Sequence, residues 1–353
     1  MPSSHPEHPA AFHLADDDLF LEHRSRGHHP ERPERLEAAR RGVERAVKGG
    51  LRALPLAPRD ATRGELEGAH STEYLTALFA LEGHRAALDA DTYLAPRSIA
   101  AARRAAGGAI ALVEKILAAK ASEGEPTRGM ALLRPPGHHA TRGQGMGFCL
   151  VNNVAIAAHA ALAAGLSRVA IVDFDVHHGN GTQDIFWEDD RVLFVSLHEM
   201  PLYPGTGAAF EIGVGKGAGY TVNVPLPASA TDAVYRAAFE EVVLPALARF
   251  APELILVSAG YDAHARDPLA SMRLSPAGYR FMCASMARAA EATAGGRIAL
   301  VLEGGYDLTA IEESVAASLE GLCSGQAEAP AGEVGEEHRE AIALARRALE
   351  AGR

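Results

Sequence analysis

The stretch Val172-Asp173-Phe174-Asp175-Val176-His177-His178-Gly179-Asn180-Gly181 decides the reading of this chain. The apolar, β-branched run from Arg168 to Phe174 leads into it and reads as a buried strand. At the strand's end stand two carboxylates and a pair of imidazoles, a set that is costly to bury unless its members are paired or hold a metal. Side chains two apart in extended backbone share a face, so Asp173, Asp175 and His177 are expected to point the same way. Carboxylate and imidazole together suit zinc or another first-row divalent ion, and a catalytic site takes three protein ligands plus an open position.

The same arrangement recurs along the chain. A strand at Gly129 to Leu133 precedes Arg134-Pro135-Pro136-Gly137-His138-His139-Ala140. One at Glu253 to Ser258 precedes Ala259-Gly260-Tyr261-Asp262, and one at Arg297 to Leu302 precedes Glu303-Gly304-Gly305-Tyr306. Further strands are expected at Arg191 to Leu197 and Tyr220 to Val224. Between them lie Ala-rich segments of helical period, Ser98 to Ala121, Asn153 to Ala164, Thr231 to Phe250, Pro276 to Ala292 and Leu308 to Leu322. This alternation predicts an α/β fold, a mostly parallel central sheet flanked by helices on both faces. In such sheets the loops after the carboxyl ends of the strands converge on one crevice, so the four clusters are expected to meet there. Asp262 then completes a metal site, and the tandem imidazoles of His138 and His139 suit acid and base work near neutral pH. The phenol of Tyr306, beside two glycines, suits donation to a developing oxyanion.

The chain shows no internal repeat, and no linker divides residues 10–325, which are expected to form one domain. Residues 326–353 read as an acidic linker and a final helix from His338 to Ala351. Its Ile342, Ala345 and Leu349 fall in register, as suits docking back or a contact in a homo-oligomer. With 353 residues, 48% of them hydrophobic and 22% charged, the chain has ample material for a core. A formal net charge of -11 argues against a nucleic-acid partner, which needs a basic face. Three scattered cysteines make no disulfide framework, the first thirty residues hold no apolar signal region, and no run long enough to span a membrane follows. A cytoplasmic protein with no membrane partner is therefore expected. Gly213 to Ala218 imitates a dinucleotide-binding glycine loop, but a strand follows where a helix would be needed. Cys149 reads as a packing residue beneath the site.

From about Phe12 to Leu322 the chain resembles the histone deacetylase family, of the arginase and deacetylase fold. The resemblance rests on Gly27-His28-His29-Pro30-Glu31-Arg32-Pro33-Glu34-Arg35-Leu36, His70-Ser71, Pro135 to His139, Gly147 to Asn153, Val172 to Gly181, Ser196-Leu197-His198, Gly260 to Asp262 and Glu303 to Tyr306. The Glu-Gly-Gly-Tyr form and Asn180 resemble the class II branch and its bacterial amidohydrolase relatives, the acetylpolyamine deacetylases included. The resemblance implies catalytic zinc on Asp175, His177 and Asp262, and His139 as general base and then acid. It implies His138 as electrostatic partner, Asp173 and Asn180 as the groups orienting the two imidazoles, and Tyr306 as the carbonyl-polarising phenol. It further implies potassium on Asp173, Asp175, His177, Ser196 and Leu197, with a second such ion at Phe186, Asp189, Val192 and Tyr220. Phe148 and Tyr203 match the walls of a substrate tunnel, with Gly147, Gly305 and the rim carboxylate Asp91 also facing substrate.

The implied activity is zinc-dependent hydrolysis of an N-acyl amide, acetyl first, on lysine in proteins or on small acetylated amines. Relatives preferring acetylpolyamines place a glutamate where this chain has Leu269, which favours acyl-lysine over acetylputrescine-like amines. The alternatives are an acetylpolyamine amidohydrolase and a catalytically silent acyl-lysine binder. Silence would be expected to go with loss of the tyrosine or a histidine, and this chain keeps them.

Overall fold

Short runs of Val, Ile, Leu and Ala pair side by side to build the centre of the molecule, and they do so in one direction. The computed structural model describes residues 10–352. Its strands are β1 Ala11–Ala15, β2 Arg52–Leu56, a two-stranded ribbon of β3 Ala86–Ala87 with β4 Tyr93–Leu94, then β5 Arg128–Ala131, β6 Val169–Asp173, β7 Val192–Glu199, β8 Thr221–Leu226, β9 Leu254–Ala259 and β10 Ile298–Leu302. All but the ribbon form one eight-stranded sheet in the order β2-β1-β5-β10-β9-β6-β7-β8. Every pairing in it is parallel. Every residue of β6, β7, β9 and β10 is buried, which is why these strands read as unbroken apolar runs rather than alternating ones.

The order carries the functional consequence. The last two strands return to insert between β5 and β6, so the sheet's middle reads β5-β10-β9-β6. These are the four strands that lead into the histidine, tyrosine and aspartate clusters, and their parallel sense puts all four clusters at one edge.

The helices are α1 Glu34–Lys48, α2 Arg63–Ala69, α3 Thr72–Phe79, α4 Ser98–Ala118, α5 Asn153–Ala163, α6 Asn180–Phe186, α7 Asp232–Ala238, α8 Leu244–Phe250, α9 Pro276–Thr293, α10 Leu308–Ser324 and α11 Glu336–Ala351. Helices α4 and α5 pack together over one face of the sheet, and α1, α9 and α10 over the other. The segment from Thr231 to Phe250, expected as one helix, is α7 and α8 joined by a π-helical turn at Phe239–Val243. Pro245 lies just beyond that turn and has no N–H to donate, so a widened turn spares the helix an unmade bond. Four strands, β1 to β4, and helices α1 to α3 lie outside the sequence expectation. Strand β2, Arg-Ala-Leu-Pro-Leu, is an edge strand, where a proline is tolerated and little is buried.

Helix α11 packs on β8, the opposite edge, and buries Ile342, Ala345 and Leu349. Arg249 ties it down by donating from Nη1 to the carbonyl of Leu349 at 2.8 Å. A covered edge cannot template pairing with another chain. Ile342→Ala is therefore expected to lower unfolding free energy by roughly 2–5 kcal/mol in urea titrations; an unchanged midpoint would mean that the helix contributes nothing to the fold.

Candidate active site

Strand β6 ends at Asp173, and the turn that follows separates three groups expected on one face. Asp173 turns its carboxylate to His138, with Oδ2 2.9 Å from Nδ1. Asp175 and His177 instead meet Asp262, which arrives from the end of β9. The period-two rule fails here because the backbone is no longer extended: the Asp175 N–H donates to Asp173 Oδ1 at 3.1 Å, and the His177 N–H to Asp175 Oδ1 at 3.0 Å.

One ligand atom from each of Asp175, His177 and Asp262 lies within 4.8 Å of the others, and all three residues are buried. His177 Nδ1 stands 3.2 Å from Asp175 Oδ1 and 3.3 Å from Asp262 Oδ2. Asp262 Oδ1 accepts the Val176 N–H at 2.9 Å, whereas Oδ2 is buried with no hydrogen-bond partner. Two glycines make the convergence sterically feasible: a Cβ on Gly260 would sit 2.0 Å from Asp175 Oδ2, and one on Gly304 2.1 Å from Asp262 Oδ2. Burial opposes charge on His177, yet Asp175 and Asp262 outweigh it and push its pKa up to about 10. The pocket is thus built for a cation, and two carboxylates with an imidazole are a donor set that fits a first-row divalent ion.

The turn Pro135-Pro136-Gly137 delivers His138 and His139 side by side, ring centroids 4.0 Å apart. Glu303 Oε2 pins the turn by accepting the N–H groups of Gly137 at 2.6 Å and His138 at 3.2 Å. The two imidazoles are tuned in opposite directions. Burial lowers the pKa of both, but Asp175 and Asp173 overcome it at His138 and hold that ring well above the usual imidazole range. At His139 burial is reinforced by the positive charges of His138 and His177, and the pKa falls well below that range. His139 Nδ1 lies 2.8 Å from Asn180 Oδ1, an acceptor, so the ring carries its proton on Nδ1 and leaves Nε2 with a free lone pair.

A cavity of about 250 Å³ opens on this apparatus, lined by Asp91, His139, Gly147, Phe148, His177, Leu202, Tyr203, Leu269 and Tyr306. Phe148 meets Tyr306 edge to face at 5.9 Å, and Tyr203 meets His139 edge to face at 5.1 Å. Gly147 is in the left-handed region at φ +55°, and a side chain there would strike the ring of His139. Residues 29–322 match the family model of the histone deacetylase domain.

The chain belongs to the histone deacetylase family. It is 41% identical over 290 residues to a probable deacetylase of Archaeoglobus fulgidus, covering 82% of this chain and 79% of that one. To Histone deacetylase 14, chloroplastic, of Arabidopsis thaliana it is 50% identical over 219 residues, 62% of this chain, and the match spans 52% of that longer protein. Among solved structures, the HDA15 HD domain superposes with a TM-score of 0.87 at 37% identity, over 97% of this chain and 98% of that one. The fold is therefore the arginase and deacetylase fold.

In this histone deacetylase family member several residues take places that the sequence did not foretell. Gly305, expected to face substrate, does not line the cavity; its carbonyl accepts from Arg35 Nε. Arg35 also donates from Nη2 to the carbonyl of Glu303, and its guanidinium lies 4.9 Å over the ring of Tyr306. Arg35 is anchored in turn by Glu31, which is also gripped by both Nε and Nη2 of Arg134, all three side chains being wholly buried. The motif containing Glu31 and Arg35 was visible in the sequence, but Arg134 lies 103 residues from Glu31, and no local pattern announces that pairing. Leu202 on the cavity wall carried no signal at all. Cys149 packs beneath the site, its thiol donating to the carbonyl of Gly147 and pushed up in pKa by burial. The Gly213 to Ala218 loop holds only a single 3-10 turn, Gly215–Gly217.

The residues expected to hold potassium are placed as follows. Asp173 and Ser196 are register partners across β6 and β7, and Ser196 Oγ lies 2.9 Å from His198 Nδ1. Of the second set, Val192 opens β7 and Tyr220 precedes β8, its carbonyl accepting from Phe194 N–H at 2.8 Å, while the carbonyl of Phe186 accepts from Asp189 N–H at 3.1 Å.

A side chain at Gly304 would intrude on both aspartates, so Gly304→Ala is expected to bring divalent metal content well below that of the wild type while far-ultraviolet circular dichroism is unchanged. Metal content equal to wild type would remove the cluster as the site of binding.

Proposed function

We propose that this chain hydrolyses an N-acyl amide, acetyl first, on the side-chain amine of lysine, with zinc held by Asp175, His177 and Asp262. The observation that carries the reading is a pair of adjacent imidazoles beside a cation site, one set against a carboxylate and the other against a neutral amide: His138 Nδ1 lies 2.9 Å from Asp173 and His139 Nδ1 2.8 Å from Asn180. Burial and the neighbouring charges push the two pKa values in opposite directions, His138 up and His139 down. A structural histidine pair has no use for that asymmetry, whereas a hydrolase needs one ring free to take a proton.

Zinc bound at the cluster would supply Lewis acidity toward an amide carbonyl and make water more acidic. Nε2 of His139 takes the proton of the attacking water, with Nδ1 anchored by Asn180. Tyr306 donates its hydroxyl hydrogen to the amide oxygen as negative charge develops there. His139 then returns the proton to the departing amine. His138 stays charged throughout against Asp173 and keeps the affinity of His139 for a proton low enough to give it back. Phe148 and Tyr203, both on the cavity wall, flank the aliphatic stem of the substrate. Potassium at the Asp173 and Ser196 pair would reinforce the same edge of the sheet.

The wall residue Leu269 supports lysine over a polyamine, because an apolar group offers nothing to a second cationic amine. Rates on an acetyl-lysine peptide and on acetylputrescine, measured with metal content on one sample, test this. A preference for acetylputrescine beyond about a hundredfold, roughly 2.7 kcal/mol of discrimination, would reverse the substrate assignment.

Two variants test the assigned roles. Tyr306→Phe is expected to lower kcat roughly a hundred- to thousand-fold with zinc still bound; full activity would remove Tyr306 from the chemistry. The low pKa of His139 means that kcat/KM should persist as pH falls through the ordinary imidazole value of about 6.5. Asn180→Asp sets a carboxylate against His139, which favours the protonated ring and should move the acid limb upward by roughly one unit or more. An unmoved limb would mean that another group sets it.

A further inference from the structure

Tyr306 follows two glycines, and Gly305 has φ +111°, a conformation that favours glycine. Such a stretch has little stiffness of its own, so a phenol on it is aimed only if its peptide is held from outside. It is held at both ends. Arg35 Nε donates to the carbonyl of Gly305, and Asp267 Oδ2 accepts the N–H of Tyr306 at 2.6 Å. These are the two ends of a single peptide group. The cation stands at its negative end and the anion at its positive end, so both charges favour one orientation.

Asp267 reaches further. Its Oδ2 also accepts the N–H of Asp307 at 3.3 Å, at the start of α10, and its Oδ1 accepts the N–H of Leu269 at 3.0 Å. Leu269 lines the cavity and Asp267 does not. Only 7% exposed, this carboxylate therefore joins the loop that carries the phenol to the loop that carries the cavity wall.

We propose that Asp267 is a positioning residue for the reaction, aiming the Tyr306 hydroxyl through the Gly305–Tyr306 peptide. The inference rests on the role proposed above for Tyr306. Asp267→Asn is nearly isosteric, but it replaces one acceptor oxygen by a donor among three N–H groups. Wild type, D267N, Y306F and the double variant are compared, each zinc-loaded, on an acetyl-lysine peptide. In the wild-type background D267N should lower kcat roughly 10- to 100-fold, the scale of a misplaced reacting group, with KM and zinc content within about twofold. In the Y306F background it should change kcat by less than about twofold, because the group through which it acts is gone.

A kcat for D267N within twofold of wild type overturns the inference. So does an equal fall in both backgrounds, which would make Asp267 a general support of the fold. If D267N does not fold, Asp267→Glu, which keeps both acceptors but displaces them, goes through the same cycle with the same two outcomes. If the wild type leaves the peptide uncut, the hydrolase reading fails instead. The positioning claim is then decided by crystal structures of wild type and D267N: a Tyr306 hydroxyl moved by more than about 1 Å upholds it, and an unmoved one overturns it.

Discussion

Two buried carboxylates, Asp175 and Asp262, are brought to bear on one imidazole, and much of the molecule is arranged around that convergence. Like charges withdrawn from water repel strongly, so the arrangement is stable only with positive charge between them. His177 meets part of that demand by holding a proton to a pKa of about 10, and a divalent cation would meet it more fully. The same demand shapes the backbone. Gly260 and Gly304 are glycines because any side chain would occupy the space of the carboxylate oxygens. The insertion of β9 and β10 beside β6 is what carries Asp262 and Gly304 to Asp175 from distant parts of the sequence.

The charge of this cluster also reaches the histidine pair. Asp175 acts on both rings, yet His138 lies against Asp173 as well, while His139 faces only a neutral amide. Burial lowers both rings, but the carboxylates raise His138, while the charges of His138 and His177 lower His139 further, so the two pKa values move apart. Around them the buried strands provide rigidity, and the Glu31, Arg35 and Arg134 group fixes the glycine-rich loop from beneath. Positioning thus comes from hydrogen bonds to backbone as much as from packing of side chains.

The central sheet was legible because fully buried parallel strands leave unbroken apolar runs, and the clusters stood out because each followed such a run. Strand β1, Ala-Phe-His-Leu-Ala, has little β-branched character, and β2 is half exposed, so neither left that trace. That Asp175, His177 and Asp262 would meet was legible too, but the shared face assumed for Asp173, Asp175 and His177 was not, since the sequence does not mark where extension stops. The residues that hold the site in shape, Arg134 on Glu31 and Asp267 on Tyr306, escaped for a simpler reason. They act through contacts between distant segments, 103 and 39 positions apart, and leave no periodic signal.

The account turns on whether the aspartate and histidine cluster binds the ion on which hydrolysis depends. Chelating the purified protein and restoring zinc in steps, with acetate release from an acetyl-lysine peptide followed at each step, tests it most directly. The account predicts no turnover in metal-free protein and a rate that rises in proportion to bound zinc, levelling at one ion per chain. Hydrolysis at full rate by the metal-free protein would contradict it.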